Sequence, residues 1–276
     1  MKATIQGVLR RCGLLERVQA SCFYDLYWLV ADRRLLASRS TELKFYRNLL
    51  HGMKRGDLVY DVGANDGSKT DIFLRLGARV VAVEPDPHNQ EVITRRFLRY
   101  RAVKKPVIVV GKALSDQNAI ETMWVDTDGS ALNTLSQKWV SSLQADQTRF
   151  GHAVAFKERR EVHTTTLVDL FATYGVPFFV KIDVEGYELS VLRGLKQAVP
   201  FLQFEVNLPD FKAEALECVG ILGELSEQGR FNYLQNFQTG LALRTWAAAT
   251  EFVNIIRECD NRSVEVFWRT DAAVPA

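Results

Sequence analysis

One stretch of the chain, residues 59–68, decides the fold, and it reads VYDVGANDGS. It begins with Val59, Tyr60 and Val62, which are β-branched or aromatic residues of the kind enriched in strands. Gly63 permits a sharp backbone turn, and Gly67 lets a ligand approach because no Cβ stands in the way. Ser68 is a suitable N-cap for the helix that follows. The stretch therefore predicts a strand, a ligand-binding glycine loop and a helix in succession.

Strands and helices alternate along the chain from residue 57 onward. The predicted strands span 58–62, 79–84, 106–110, 178–182, 201–206, 230–237 and 264–269, with an extended piece at 120–125. The predicted helices span 68–76, 87–100, 167–174, 188–197 and 212–228. Repeated units of this kind predict an α/β fold, in which a mainly parallel sheet carries helices on both faces. Residues 126–162 are predicted to be polar, irregular or helical.

The composition excludes several classes of protein. The 276 residues are 47% hydrophobic and 25% charged, ordinary values for a globular protein, so disorder, collagen and a transmembrane bundle are excluded. The formal net charge of +2 gives no electrostatic case for nucleic acid. The four cysteines lack disulfide-scaffold or metal-ligand spacing, which favours reduced thiols.

The first 56 residues are predicted to form a helical N-terminal extension, separate from a main domain at 57–276. Charged residues interrupt every apolar run before a signal-peptide core could form, and the run 26–31 is far too short to span a membrane. A cytoplasmic location is the expectation. The aromatic-rich segment 23–28 is expected to pack on the main domain, and a lid or a homodimer through the N-terminal helices is the alternative.

Carboxylates stand where the first two strands end. Asp61 suits a cationic amino group, and Glu84 is placed to accept hydrogen bonds from two ribose hydroxyls. The loop is not a dinucleotide fingerprint, because Asn65 stands where that fingerprint has its second glycine. Asp61 and Asp66 would also repel a pyrophosphate. These features favour S-adenosylmethionine, a nucleoside that bears a positive amino acid, and a purely structural turn is the alternative.

A second motif, VKIDVEGYE at 180–188, places Asp183 and Glu185 at the carboxyl end of a central strand. Crowded carboxylates can have their pKa values pushed apart, which suits one of them to act as a general base. The alternative is that Glu185 and Glu188 merely stabilise a helix N-terminus, where acidic residues are favoured.

The motifs together resemble the FkbM family of S-adenosylmethionine-dependent methyltransferases over roughly residues 57–206. The resemblance lies in DVGANDGSKT at 61–70, VEPDP at 83–87, ALSD at 113–116 and KIDVEGYELSVLRGL at 181–195. It implies a Rossmann-like methyltransferase fold, a seven-stranded sheet whose last strand is antiparallel. It also implies that the cofactor's methionine part is surrounded by Asp61, Gly63, Ala64, Asn65 and Gly67. Its ribose would be held by Glu84, with Pro85 and Asp86 alongside, and its adenine would lie against Ala113, Leu114 and Ser115.

The expected reaction is methyl transfer to a hydroxyl of a sugar or polyketide-like small molecule. Asp183 or Glu185 would serve as the base, His163 and Glu205 are candidate substrate residues, and no metal site is expected. The segment 126–162 would shape the acceptor pocket. The alternatives are a nicotinamide-dependent oxidoreductase, which would need a glycine at 65, and a non-catalytic nucleoside-binding protein.

Overall fold

The computed structural model describes residues 33–98, 107–146, 149 and 154–270. Its strands are β1 (Leu58–Val62), β2 (Arg79–Val83), β3 (Val107–Val110), β4 (Ala113–Leu114), β5 (Ile120–Val125), β6 (Glu158–Thr165), β7 (Phe179–Ile182), β8 (Phe201–Asn207), β9 (Arg230–Leu234) and β10 (Ser263–Arg269). Its helices are α1 (Arg33–Leu49), α2 (Ser68–Arg75), α3 (Pro87–Arg96), α4 (Gln137–Ala145), α5 (Leu167–Tyr174), α6 (Glu188–Arg193), α7 (Lys212–Leu225) and α8 (Ala249–Glu258).

Seven strands form one sheet in the order β3-β2-β1-β7-β8-β10-β9. The β1–β2, β1–β7, β2–β3 and β7–β8 pairs are parallel, whereas β10 runs antiparallel to both β8 and β9. The predicted sheet, including its antiparallel last strand, is confirmed. The strand order reverses next to β1, and ligands bind in such sheets at the carboxyl ends of the strands that flank the reversal.

Two apolar cores cover the two faces of the sheet. One core packs α5, α6, α7 and α8 against the strands. The other packs α1, α2 and α3 against the opposite face, where the side chains of Tyr46, Leu49 and Leu50 are buried with Phe73 and Phe179. The described part of the predicted N-terminal extension thus shares a core with the sheet. Residues 1–32, including the aromatic segment 23–28, lie outside the described residues.

A second sheet of three strands, in the order β4-β6-β5, lies between β3 and α5 in the chain. The strand β6 was not predicted, because its sequence ERREVHTT is dominated by charged residues. It pairs antiparallel with β5, burying Val162 and Thr164 while charged neighbours face outward. The helix α4 lies in the same predicted irregular-or-helical segment, and its N-cap Ser136 accepts a hydrogen bond from the Trp139 N–H at 3.1 Å.

Several element ends differ from the prediction. The helix α6 ends at Arg193, and Gly194 follows it at a close approach, since a Cβ there would lie 2.7 Å from the Ser115 carbonyl oxygen. The strand β9 ends at Leu234, and α8, which was not predicted, precedes β10. Within the described ranges, no helix combines the length and the apolar character that crossing a membrane requires.

Candidate functional site

A cavity that opens to solvent, with about 570 Å³ of space including its mouth, lies at the carboxyl ends of β1, β2 and β7, where the fold predicts a ligand. Six of the predicted cofactor residues line it: Gly63, Asn65, Glu84, Pro85, Ala113 and Leu114. Both predicted catalytic residues, Asp183 and Glu185, line it as well. The sheet therefore brings together residues that are up to 122 positions apart in the sequence, since both Gly63 and Glu185 line this one cavity.

The glycine loop contacts the end of β7 directly. Gly63 has φ +70°, and a Cβ on it would lie 1.8 Å from the Asp183 carbonyl oxygen. No residue with a side chain fits at this position. Asn65, which also has a positive φ of 47°, donates its backbone N–H to Glu84 Oε2 at 2.8 Å. The loop is thereby fixed between the ends of β7 and β2.

Glu84 is buried, and its carboxylate is held by two backbone donors. Oε2 accepts from Asn65 N and Oε1 accepts from Asp86 N at 2.9 Å. Burial raises the pKa of Glu84 to about 7, although these two hydrogen bonds lower it. A carboxylate has about four acceptor positions, so roughly two remain for hydroxyl donors in the cavity. This arrangement fits the predicted ribose contact.

Asp61 is enclosed within the protein. Its side chain is fully buried and does not line the cavity. Its Oδ2 accepts from Thr70 Oγ1 at 2.6 Å, and its Oδ1 lies 3.5 Å from Lys181 Nζ. Both carboxylate oxygens of Asp61 thus face groups of the protein itself, and its contact with the cofactor stays a prediction.

Four other predicted cofactor residues, Ala64, Gly67, Asp86 and Ser115, do not line the cavity. At Gly67 the space that a Cβ would fill is occupied by the Phe97 ring, 2.8 Å away, and not by a ligand. Ser115 is buried and donates its backbone N–H to the Thr165 carbonyl at 2.9 Å, which joins the small sheet. Ala64 is buried in the core beneath the loop.

Asp86 fastens a loop that sequence reasoning missed. Its Oδ2 accepts from Gly129 N and from Asn133 Nδ2, both at 2.9 Å. Thr134 in the same loop donates to the Glu185 carbonyl oxygen at 2.7 Å. The loop lines the cavity through Ser130, Ala131, Asn133, Thr134 and Leu135. No local motif marks this loop, but the expectation that segment 126–162 shapes a pocket includes it.

Three carboxylates converge beside the cavity. Asp183, Glu185 and Glu205 each offer an oxygen, and these oxygens lie within 4.8 Å of one another. This spacing could hold a divalent cation by oxygen ligands, so the expectation of no metal stays a prediction. Glu205 lies mainly in an adjacent recess of about 230 Å³ and accepts from Ser263 Oγ at 2.8 Å.

The carboxylates of the cluster differ in their ionisation. Burial raises the pKa of Glu185 well above its usual range, and the charges of Asp183 and Glu188 raise it further. Burial likewise raises the pKa of Glu205. For Asp183, burial is outweighed by the Lys181 ammonium at 3.1 Å, and the pKa is lowered. The predicted separation of pKa values is therefore present, with Asp183 as the most acidic member.

The two glutamates of the second motif differ in position: Glu188 lies at the start of α6, and Glu185 lies at the cavity. Glu188 is buried, and its Oε1 accepts from Val184 N at 3.0 Å and from Gly186 N at 3.3 Å. Glu188 thus supports the turn before α6, as the helix-terminus interpretation expects. Glu185 instead adopts a positive φ of 55° and lines the cavity.

His163 is exposed on β6 and does not line the cavity, so it is placed away from the site.

The charge of the cavity tests whether a nucleoside cofactor fits. The charged residues among those that line it are Glu84, Asp183 and Glu185 with one cation, Lys112. A lining with three carboxyl groups and a single cation offers no cradle of cations for the pyrophosphate of a dinucleotide. Apolar residues such as Leu114, Met123 and Leu135 also line the cavity. Carboxylates together with an apolar wall fit a sulfonium-bearing adenosine such as S-adenosylmethionine.

Comparison with known proteins agrees with this geometry. Residues 61–262 match the model of a family described as Methyltransferase FkbM domain. The hexuronic acid methyltransferase AglP of Haloferax volcanii is 25% identical over 180 residues, covering 65% of this chain and 64% of that protein. A chloroplastic ribosomal RNA small subunit methyltransferase of Arabidopsis thaliana is 42% identical over 45 residues, covering 16% of this chain and 13% of that protein.

Solved structures with a related outline include a SAM-dependent O-methyltransferase from Thermotoga maritima. It is 12% identical, with a TM-score of 0.39, and the match covers 83% of this chain and 64% of that one.

The chain spans less than two thirds of the length of both curated relatives. The family model, by contrast, covers well over half of this chain and includes the glycine loop, Glu84 and the carboxylate cluster. The chain belongs to the FkbM methyltransferase domain family.

Proposed function

We propose that the protein is an S-adenosylmethionine-dependent O-methyltransferase that acts on a hydroxyl of a sugar or a related small molecule. The observation that carries this proposal is the convergence of Glu84, Asp183 and Glu185 on one cavity. Glu84 would bind the ribose of the cofactor, and the other two carboxylates would meet the acceptor. Gly63 and Asn65 would lie against the cofactor's methionine part, and Ala113 and Leu114 against its adenine.

S-adenosylmethionine supplies an electrophilic methyl group, and S-adenosylhomocysteine leaves when the acceptor oxygen takes that group. The protein's part is to hold the acceptor oxygen in place and to remove its proton. Placement of two bound reactants accounts for much of the acceleration in such a reaction. A carboxylate that accepts the hydroxyl proton contributes roughly 10²–10⁴-fold.

Asp183 and Glu185 are both candidates for the proton acceptor, and their surroundings suit them differently. Asp183 is ionised and bound to Lys181, which fixes its position but weakens it as a base. Glu185 has a raised pKa, which makes its carboxylate the stronger base once it is ionised. We assign proton removal to this pair, with Asp183 positioning the hydroxyl and Glu185 accepting the proton.

The carboxylate cluster also indicates which oxygen of the acceptor is methylated. One relative is named a hexuronic acid methyltransferase, and a hexuronic acid offers both hydroxyls and a carboxylate as oxygen nucleophiles. A carboxylate acceptor would be repelled by Asp183, whose lowered pKa keeps it ionised. It would also need no base, whereas a hydroxyl needs one. Both points favour ether formation at a sugar hydroxyl over formation of a methyl ester.

The proposal is tested by the release of S-adenosylhomocysteine with a panel of acceptors. The panel contains the methyl glycosides of glucose, glucuronic acid and galacturonic acid, and the control is the Asp183→Asn/Glu185→Gln double variant. We expect turnover that depends on the two carboxylates and a methylated product that survives mild alkali, as an ether does. An alkali-labile product would identify an ester and overturn the hydroxyl assignment. Binding of the cofactor without turnover on any acceptor would favour a nucleoside-binding protein.

A further inference from the structure

Lys181 is a buried cation in the middle of the large sheet. It is the third residue of β7, and its side chain is 2% exposed. Lysine is almost never fully buried unless it is paired. The strand register places Lys181 between Asp61 on β1 and Gln203 on β8. Three polar side chains therefore form one row across the same face of the sheet, directly beneath the carboxylate cluster.

The Lys181 ammonium contacts both sides of the cavity floor. On the side of the glycine loop, Nζ lies 3.1 Å from the Gly63 carbonyl oxygen and 3.5 Å from the Val62 carbonyl oxygen. On the other side it lies 3.1 Å from Asp183 Oδ2. The Asp61 carboxylate is at 3.5 Å. One side chain thus joins the loop expected to bind the cofactor to a carboxylate expected to meet the acceptor.

We infer that Lys181 is a positioning residue that holds the Asp183 carboxylate at the cavity, with the Gly63 carbonyl as its second anchor. This inference rests on the proposed function and deepens it. Asp183 is 27% exposed, so its side chain has room to turn toward solvent once the ion pair with Lys181 is removed. Asp61 and Glu265 are further acids near the ammonium, and Lys69 is a second cation near Asp183.

A simpler role for Lys181 would be to balance the buried charge of Asp61. The distances favour the positioning role, because Nζ is closer to Asp183 than to Asp61. Asp61 also has a hydrogen bond of its own from Thr70 at 2.6 Å. The two roles predict different behaviour once Asp61 has been made neutral, and the test is built on that difference.

The test compares Asp61→Asn with Asp61→Asn/Lys181→Met. The asparagine would keep an oxygen that accepts the Thr70 hydrogen bond. Because it carries no charge, removal of Lys181 then leaves no unpaired buried carboxylate at this position. Circular dichroism and thermal unfolding check folding, and Lys181→Gln in the same background is the second variant. The assay uses S-adenosylmethionine with the best acceptor of the glycoside panel. We expect kcat to fall about 100-fold, as a misplaced catalytic group does, while the acceptor KM and the cofactor Kd change little.

A second pair shows whether Lys181 acts through Asp183. The pair is Asp61→Asn/Asp183→Asn with and without Lys181→Met. The two proteins should differ in kcat by less than about threefold, because the effects of substituting residues that act as one unit do not add. The inference would be overturned if Lys181→Met left the kcat of Asp61→Asn unchanged. It would also be overturned if Lys181→Met lowered kcat as strongly with Asp183→Asn present as without it. Either result would leave the proposed function standing. Absence of turnover by the unmodified protein on the whole panel would overturn the proposed function, and this inference with it.

Discussion

The carbonyl oxygen of Asp183 occupies the place where Gly63 would carry a Cβ, 1.8 Å from that position. The two residues belong to different motifs, the glycine loop after β1 and the carboxylate turn after β7. Their contact means that the loop and the carboxylates cannot move independently. The parallel pairing of β1 with β7, in which Val62 faces Ile182, creates this contact.

Gly63→Ala should therefore disrupt the site, and Gly240→Ala is the matched control. Both glycines have a positive φ, of +70° and +72°, so both substitutions carry a conformational cost of about 1–2 kcal/mol. Only Gly63→Ala adds a collision, since nothing lies within 4 Å of a Cβ at Gly240. We expect a larger loss of stability and of cofactor binding for Gly63→Ala, measured by chemical unfolding and calorimetry. Equal losses in the two variants would contradict the contact.

Glu84 should make cofactor binding depend on pH. Burial raises its pKa to about 7. The ionised carboxylate accepts hydrogen bonds from ribose hydroxyls, whereas protonation removes acceptor capacity. The affinity for S-adenosylmethionine should therefore rise as the pH increases through about 7. Glu84→Ala should weaken binding by on the order of 1–3 kcal/mol and remove this dependence, as measured by calorimetry at several pH values. The same pH dependence in the variant would exclude Glu84 as its source.

Glu188 should lower the stability of the protein at high pH. Burial raises its pKa to about 7 from an ordinary value of 4.5. The unfolded chain loses this proton near pH 4.5 and the folded chain keeps it until about pH 7, so the free energy of unfolding falls as the pH rises between these values. Glu188→Gln keeps an oxygen acceptor for Val184 and Gly186. It should stabilise the protein by on the order of 1–3 kcal/mol at pH 8 and by little at pH 4.5.

The control for this prediction is Glu227→Gln, which neutralises an exposed glutamate. Chemical unfolding at both pH values measures the difference between the variants. A Glu188→Gln protein that is less stable than the unmodified one at pH 8 would show that the carboxylate charge is needed for the turn.

The carboxylate pair should control turnover without controlling cofactor affinity. Asp183→Asn or Glu185→Gln should lower kcat by roughly 10²–10⁴-fold, because each removes a group that positions or deprotonates the acceptor. Glu251→Gln on the surface of α8 is the control. Cofactor affinity should barely change, since we assign cofactor binding to Glu84 and the glycine loop. Full activity in both variants would refute the assignment.

Chelation separates this mechanism from one that needs a metal. The Lys181 ammonium already offsets the charge of Asp183 and Asp61, so no further cation is needed to balance these two acids. Turnover should therefore survive EDTA, with assays run before and after added Mg²⁺. Activity that EDTA abolishes and Mg²⁺ restores would place a cation between Asp183, Glu185 and Glu205.

Local patterns allowed most of the sheet and half of the site to be predicted. The strand that precedes Gly63 and the acid that closes β2 are read from adjacent residues, and both lie where they were expected. The strand β6 was missed because its outward-facing charges mask the burial of Val162. The homodimer, the cytoplasmic location and the domain boundary near residue 56 stay predictions.

Contacts between distant segments could not be predicted in this way. The burial of Asp61 could not be foreseen because the sequence does not show that Lys181, 120 positions later, pairs with it across β1 and β7. Likewise, Asp86 looks like a helix cap from its neighbours. That it also accepts hydrogen bonds from Gly129 and Asn133 is visible only in the structure, because these residues lie more than 40 positions away in the chain.

Calorimetric titration with S-adenosylmethionine and with NAD⁺ tests the central claim most directly. The cavity, in which we assign Glu84 to the ribose and which offers no cationic cradle for a pyrophosphate, should bind S-adenosylmethionine at one site per chain and should not bind NAD⁺ measurably. The Glu84→Ala variant should bind S-adenosylmethionine more weakly. Binding of NAD⁺ in preference to S-adenosylmethionine, or S-adenosylmethionine affinity unchanged by Glu84→Ala, would contradict the assignment of this cavity.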